Sequence, residues 1–372
     1  MKNIFVYHTS SSVGLRLRDE LRQEGVPMQL FIDSYGAFLH VKDNMLEVKL
    51  TVNEQTVKKK IAPGKINSIL LSKGTSISYE AVNLCLTNNI DILFLEYDGT
   101  PIGRIWHSKL GSTTKIRKHQ LVASLNEAGV KYVKQWITKK IDNQKEFLGR
   151  LKKHRPNKSG YFDDVISKLD NSINNIEKLN SYNIKDIAEN IRGYEGTAGR
   201  IYFEILSSLL SNEYQFQVRS SRPAKDSFNA FLNYAYGVLY SKIEKSLIIA
   251  GIDPYLGFFH RDDYNMKSMV FDFIEPYRIY ADEVVFKLLS AKKINKTHTD
   301  EIPNGKSLNK EGKMLLMQSF NKFMDEDKVR YKGKNHTRNN IIQYDAHAFA
   351  NSLIGKELDL KEMQKYDLLG DV

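Results

Sequence analysis

The sequence predicts an α+β protein in which an N-terminal β-sandwich-like domain is followed by a larger all-α domain. Three observations carry this. Between residues 29 and 52 apolar and polar residues alternate at period two, separated by turn residues, as in half-buried strands. From about residue 110 the apolar spacing shifts to that of helices. Only eight prolines occur in the 372 residues, so little interrupts the helical part.

Taken in order, residues 1–26 read as an extension with a short strand at 4–7 and a charged helix near 13–24. The β-rich domain spans 27–108. Strands are expected at 29–33 and 37–41, paired as a hairpin about Ser34-Tyr35-Gly36. Others follow at 46–52, 66–71, 90–95 and, after the turn Asp98-Gly99, 101–106, with one short helix at 79–87. The helical domain spans 109–372, with helices at 115–126, 130–150, 161–182, 201–210, 226–250, 270–289, 312–327 and 336–353. Gly160 and Gly193 mark expected breaks. The polar segment 292–311, with Pro303, Asn304 and Gly305, reads as a mobile loop. No internal repeat or long heptad run is present.

Hydrophobic residues make up 41% and charged residues 27%, enough to bury a sizeable core. Lys and Arg number 55 against 44 Asp and Glu, a formal net charge of +11, with a pI near 9.3. A polyanion such as nucleic acid suits that surface, because each phosphate contact releases counterions. The single cysteine, Cys85, excludes an intrachain disulfide and a cysteine-based zinc cluster, and its apolar helical setting points to a buried thiol. No apolar run approaches the roughly 18 residues of a membrane span. The first residues lead into no secretory core, so a cytoplasmic protein with no membrane partner is expected.

Three stretches carry candidate chemistry. In Val270-Phe271-Asp272-Phe273-Ile274-Glu275-Pro276, Asp272 and Glu275 are three residues apart, on one face of a helix and within reach of one ion. Both acids also suit a helix N-terminus. His260 follows a Gly-aromatic loop at 253–259, where it is either a structural imidazole or a metal ligand. Glu195 stands among Gly193, Gly196, Ala198 and Gly199 at the entry to the helix at 201–210, either for dipole reasons or because small residues admit a phosphate. In the helix at 226–250, Asn229, Asn233 and Tyr236 form a polar stripe beside the core positions. That stripe suits nucleic-acid contacts or the capping of buried backbone groups. The basic loop 219–225, with Arg222 and Lys225, runs into the same helix N-terminus as a phosphate cradle.

The order of these pieces closely resembles the CRISPR-associated integrase/endonuclease family that acquires new spacers. The resemblance rests on Glu195-Gly196 with Ala198, then Asn229 to Tyr236, Gly257 to His260, and Asp272 to Arg278. Leu30-Phe31-Ile32-Asp33-Ser34-Tyr35-Gly36 and residues 71–78 resemble its β-domain, and Tyr331-Lys332-Gly333-Lys334 its helical domain. The resemblance covers about residues 27–355; residues 1–26 depart from it.

The resemblance implies a Mg²⁺ or Mn²⁺ ion held by Glu195, His260 and Glu275, with Asp272 as a catalytic auxiliary that orients a metal-bound water or the attacking hydroxyl. It implies joining of prespacer 3′-hydroxyl ends to repeat DNA by transesterification, on double-stranded and branched DNA. It further implies a homodimer formed through the β-domain and a small ferredoxin-like partner protein of CRISPR adaptation. Lys115, Arg117, Lys118, Arg200, Arg222 and Lys225 are the expected backbone contacts, with Asn229, Asn233 and Tyr236 beside them. A structure-specific nuclease that cuts without joining, and a catalytically silent basic scaffold, are the alternatives.

Overall fold

A computed structural model describes residues 28–52, 55–88, 90–96, 101–105, 113–260 and 266–355. The strand expected at 4–7, the helix near 13–24 and the turn Asp98-Gly99 lie outside the described residues. The chain divides into two compact units, Met1–Leu110 and Gly111–Val372. No described helix is long and apolar enough to cross a membrane.

The first unit contains β1 (Met28–Ile32), β2 (Phe38–Lys42), β3 (Met45–Val52), β4 (Gln55–Ile61), β5 (Ile66–Ser72), β6 (Ser76–Ile77), α1 (Tyr79–Thr87), β7 (Asp91–Leu95) and β8 (Pro101–Ile105). They form two four-stranded sheets, β1-β5-β7-β8 and β4-β3-β2-β6. Leu30, Ile32, Ile69, Leu71 and Ile92 of the first sheet share one buried core with Leu39, Leu46, Val48 and Leu50 of the second. Cys85 of α1 lies in that core, and burial pushes its thiol up to about 12, so it is an inert packing group.

The hairpin expected about Ser34-Tyr35-Gly36 does not form. β1 pairs in parallel with β5, while β2 pairs with β3 in the other sheet. The apolar runs Leu30-Phe31-Ile32, Ile69-Leu70-Leu71 and Ile92-Leu93-Phe94 suit strands covered on both faces, and β1, β5 and β7 are mutually parallel. Gly36, at φ +80°, donates to Gly74 O and turns the chain from one sheet to the other. The true hairpin is β2–β3. Its two-residue turn places Asp43 and Asn44 at φ +54° and +55°, the left-handed pair that a type I′ turn requires. β4, not expected from its polar sequence, is an edge strand whose Lys58, Lys59 and Lys60 discourage further pairing.

The second unit contains α2 (Thr113–Ser124), α3 (Glu127–Lys152), α4 (Ser159–Lys178), α5 (Ile184–Ser208), α6 (Ser227–Ile249), α7 (Ser268–Phe273), α8 (Arg278–Ser290), β9 (Thr299–Ile302), β10 (Gly305–Leu308), α9 (Lys310–Asn321), β11 (Lys328–Tyr331), β12 (Lys334–Thr337) and α10 (Arg338–Ile354). Five of its described helices, α3, α5, α6, α9 and α10, start at side-chain caps. Asn126, Asn183, Asp226, Asn309 and Thr337 each accept from a backbone N–H of the first turn. Val133, Ile137, Ile141, Ile191, Tyr202, Phe228, Phe231, Leu239, Val285 and Phe286 are among the buried residues of one core.

Three expectations change here. Gly193 is no break: α5 runs through Gly193, Gly196 and Gly199, because the cap at Asn183 and the buried stripe Ile184, Ile187, Ala188, Ile191 carry it. A Cβ at any of these three glycines would meet nothing within 4 Å. The helix at 270–289 is split by a 3-10 turn, Glu275–Tyr277, between α7 and α8, because Pro276 lacks the N–H and crowds the preceding turn. Residues 292–311 form a 3-10 turn, the hairpin β9–β10 and the start of α9. Pro303 followed by Asn304 at φ +63° closes that hairpin, and Gly305 lets it approach Ala224 O, where a Cβ would stand 2.3 Å away.

In the first unit, Asp91 is only 1% exposed and both its oxygens accept from Arg104, Nε and Nη2 each at 2.8 Å. Arg104→Ala is expected to destabilise this unit by about 3–5 kcal/mol in urea unfolding, because it takes from a buried carboxylate the guanidinium that both its oxygens accept from. An additional Asp91→Asn change should recover part of that loss.

Candidate functional site

α3, α5 and the break between α7 and α8 bring Glu195 and Glu275 together on one cation. Lys140 of α3 donates from Nζ to Glu195 Oε1 and lies 2.7 Å from Glu275 Oε2. On its other side Glu275 accepts from Arg278, whose Nε and Nη2 both stand 2.8 Å from Oε1. Glu275 is 2% exposed. Burial favours its neutral form, but Arg278 and Lys140 outweigh this and hold the carboxyl down at about 2. Although Lys140 is close, the buried Oε2 accepts no hydrogen bond of acceptable geometry. Asn143, three residues after Lys140 and so on its face of α3, donates to Pro276 O at 2.7 Å. From another side Tyr277 and Tyr331 both donate to Asp345, which ties α10 and the β11–β12 hairpin to the same turn.

His260 belongs to a second pair. Asp272, expected to share an ion with Glu275 and to orient water or a hydroxyl, is committed elsewhere. Its Oδ2 accepts from Phe258 N and Phe259 N, and its Oδ1 accepts from His260 N at 3.0 Å. Oδ1 also stands 2.6 Å from His260 Nδ1. A carboxylate can only accept, so Nδ1 carries a ring proton, and in the neutral imidazole Nε2 is the nitrogen left to accept or ligate, on a side chain 32% exposed. The turn at Pro276 lies beside this divergence. Asp272 ends α7 facing the loop at 253–260, while Glu275, past it, faces α3. The loop has further clamps. Gln120 donates to Asp253 O and Leu256 O and accepts from Asp253 N. Arg192 donates to Phe259 O and lies 5.0 Å from that ring's centroid. Gly257 packs on Ser268, whose Cβ would stand 2.5 Å from any added Cβ.

The sequence-expected ligands therefore form two pairs, Glu195 with Glu275 and His260 with Asp272. Among the described residues no group of three His, Cys, Asp or Glu side chains is placed to hold a metal ion. The donor types still fit a hard divalent ion: two carboxylates, an imidazole nitrogen, and a buried oxygen on Glu275 with an unused lone pair. Glu195 lies mid-helix, which removes the helix-entry explanation for its presence.

The polar stripe of α6 is used within the protein. Asn229 accepts from Arg219 and Ser220 N and donates to Val218 O and Asp226. Asn233 accepts from Arg219 and donates to Ser220 O and Ser221 O. Tyr236 is buried and donates to Asp282 at 2.7 Å. The side chains of all three residues thus make internal contacts, to backbone groups of loop 218–221 and to a buried acid. The expected phosphate cradle changes too. Asp226 caps α6, and Lys225 donates to Asn304 O of the β9–β10 turn. Lys115, Arg117, Lys118, Arg200 and Arg222 are exposed. Arg117 lies 3.9 Å from Asp253, and Arg200 4.0 Å from Glu204.

Sequence reasoning missed Lys140, Gln120 and Asp282. Each has a signal. Lys140 and Gln144 interrupt the apolar stripe Val133, Ile137, Ile141 of α3, and a charge on a buried face needs an opposite one. Asp282 lies in the apolar helix α8 and is wholly buried. It accepts from Tyr236 and Tyr202, and Arg278 stacks 4.9 Å over the Tyr236 ring, so it braces the cation that holds Glu275.

Two outcomes follow from this geometry. Asp272→Asn puts an NH₂ group against N–H donors, and a loss of about 2–4 kcal/mol is expected, with faster hydrogen exchange at the amides of Phe258, Phe259 and His260. Burial pushes the Asp282 carboxyl up to about 6, against the hydroxyls of Tyr236 and Tyr202 that favour its charged form. An unfolded aspartate titrates near pH 4, so between about pH 4 and 6 the folded state keeps a proton that the unfolded state has lost. Stability therefore falls as pH rises through that window. Asp282→Asn, which has no proton to lose, should gain roughly 2–3 kcal/mol relative to the wild type between pH 4 and 7 in urea unfolding.

Comparison with known proteins identifies the family. The profile of the family described as CRISPR associated protein Cas1 matches residues 30–322. A CRISPR-associated endonuclease Cas1 from Archaeoglobus fulgidus is 30% identical over 326 residues, 85% of this chain and 93% of that protein. A Cas1 protein from Thermotoga maritima has a similar fold, with a TM-score of 0.69 at 20% identity over 89% of this chain and 98% of its own. A casposase bound to an integration product is similar at a TM-score of 0.69 and 20% identity, over 92% of this chain and 98% of its own. With the matched residues reaching from β1 past the end of α9, the chain belongs to the Cas1 family of CRISPR-associated proteins.

Proposed function

We propose that this chain is a metal-dependent DNA integrase and endonuclease of CRISPR adaptation, which joins prespacer 3′-hydroxyl ends to repeat DNA by transesterification. The observation that carries this reading is the convergence of Glu195 and Glu275, from separate helical segments, on a single positive charge. Glu195 and Glu275 would hold Mg²⁺ or Mn²⁺ through carboxylate oxygens and His260 through Nε2. When bound, such an ion supplies Lewis-acid polarisation of the scissile phosphate and stabilises the charge that develops on it.

The chain's own residues do the rest. Asp272 fixes the imidazole through Nδ1, so Nε2 keeps one direction. Arg278, held by Glu275 and stacked on Tyr236 and Tyr240, adds fixed positive charge near the reacting phosphate. The attacking 3′-oxygen forms a new bond to phosphorus as the repeat strand's 3′-oxygen leaves, and the proton lost by one hydroxyl is regained by the other. The glycine strip Gly193, Gly196 and Gly199 leaves the helix surface beside Glu195 open to a bulky backbone. Lys115, Arg117, Lys118, Arg200 and Arg222 contact phosphates and position the DNA without reading its sequence. The active assembly is two homodimers, each formed through the β-domain, bridged by a small ferredoxin-like partner protein in the cytoplasm.

Glu195→Ala, His260→Ala and Glu275→Ala proteins, each checked for fold by circular dichroism, are to be given branched half-site DNA with Mn²⁺. Each is expected to lose strand transfer by about a hundredfold or more. Strand transfer retained in all three sinks the assignment. Cut strands with no product of joined length point to a nuclease instead. DNA binding alone, unchanged by EDTA and by the three substitutions, points to a silent scaffold.

A further inference from the structure

We propose that Lys140 is a built-in counter-cation, which occupies the cation position between Glu195 and Glu275 and must withdraw before a divalent ion can take both carboxylates. The inference rests on the metal-dependent reading above and adds a control on when the site can load.

The charges near the two acids balance without any ion. Glu195 and Glu275 contribute two negative charges, and Lys140 and Arg278 two positive ones. A divalent ion placed on the same carboxylates would set four positive charges against two negative ones in a site with little water. One cation has to leave, and the geometry selects Lys140. Arg278 is a poor candidate, since two of its nitrogens grip Glu275 and its guanidinium lies over the rings of Tyr236 and Tyr240 at 4.9 and 5.7 Å. Tyr236 is itself held by Asp282.

Lys140 has a flexible stem, and one directed hydrogen bond is seen for it, to Glu195 Oε1. Its other contact, 2.7 Å from Glu275 Oε2, is an ion pair whose geometry at that oxygen is poor for a hydrogen bond. An ammonium 13% exposed, between two acids on separate segments, is placed as an ion would be placed. It keeps the carboxylates from repelling each other when no ion is present. The same ammonium competes with any incoming ion, and once displaced it is free to meet a DNA phosphate.

The test is a Mn²⁺ titration of the full-length protein, read from the free-ion signal in electron paramagnetic resonance, together with thermal unfolding with and without Mn²⁺. Lys140→Met removes the charge at similar length. It is expected to bind Mn²⁺ about tenfold or more tightly than the wild type. Its melting temperature should fall without metal and rise on adding Mn²⁺ by more than the wild type's does. Lys140→Arg keeps the charge and should bind no more tightly than the wild type. Lys140→Gln, which keeps a donor between the acids, replaces Lys140→Met if that protein does not fold.

Equal or weaker binding by the neutral variants overturns the proposal, and so does equal tightening by Lys140→Arg. A different result separates failure of the underlying reading: tight binding by Lys140→Met that survives an added Glu195→Gln places the ion elsewhere. No Mn²⁺ binding by the wild type or by any Lys140 variant overturns the metal reading and the proposal together.

Discussion

Glu275 has lost nearly all its water, and a carboxylate in that position stays charged only while cations stand against it. Arg278 and Lys140 provide that charge, and each imposes a structural demand. Lys140 must come from α3 at the right height, which Asn143 secures by binding the backbone of Pro276 three residues on. Arg278 must stand over the ring of Tyr236, whose hydroxyl donates to Asp282. The core of the helical unit is arranged so that α3 delivers Lys140, α5 Glu195, the 3-10 turn Glu275 and α8 Arg278, while α6 supplies the Tyr236 ring beside the last. Its helix packing and its chemistry are therefore hard to vary separately.

Pro276 has an influence out of proportion to its size. By ending α7 early it sends Asp272 and Glu275 in different directions, although their spacing on an unbroken helix would set them side by side. Asp272 then cradles the loop at 257–260, and Glu275 turns to α3 and α5. A buried carboxylate with three backbone N–H partners and an imidazole is fully satisfied, so it serves to aim His260. Glu275, with one oxygen lacking a well-formed hydrogen bond, keeps the capacity to bind something else.

The same division between local and distant effects runs through the rest of the chain. α1 follows its apolar spacing and the Ser78 cap, and α6 follows its core stripe and the Asp226 cap. Both were legible because caps and periodicity act within one element. The pairing of β1 with β5, and not with β2, was not legible, because a strand's partner depends on which surfaces meet after the chain has turned. The hairpins β9–β10 and β11–β12 escaped notice for another reason. Their strands are four residues long and mostly polar, and their tight turns, with Asn304, Lys332 and Gly333 at positive φ, matter only once packed beside helices.

By itself the sequence determined the fold class, the shift from strands to helices, most helix positions and the acids and imidazole that are candidate ion ligands. These depend on neighbours a few positions apart. It could not decide which polar residues face the site and which serve the interior. Asn229, Asn233 and Tyr236 share a helical face suited to DNA, yet all three are claimed by a loop and an acid that come near only in the folded chain. Lys140 lies 55 residues from Glu195 in the chain and ends in contact with it. Tertiary structure alone set that contact, because burial removes the water that would otherwise satisfy each charge, and the remaining partners are fixed by packing.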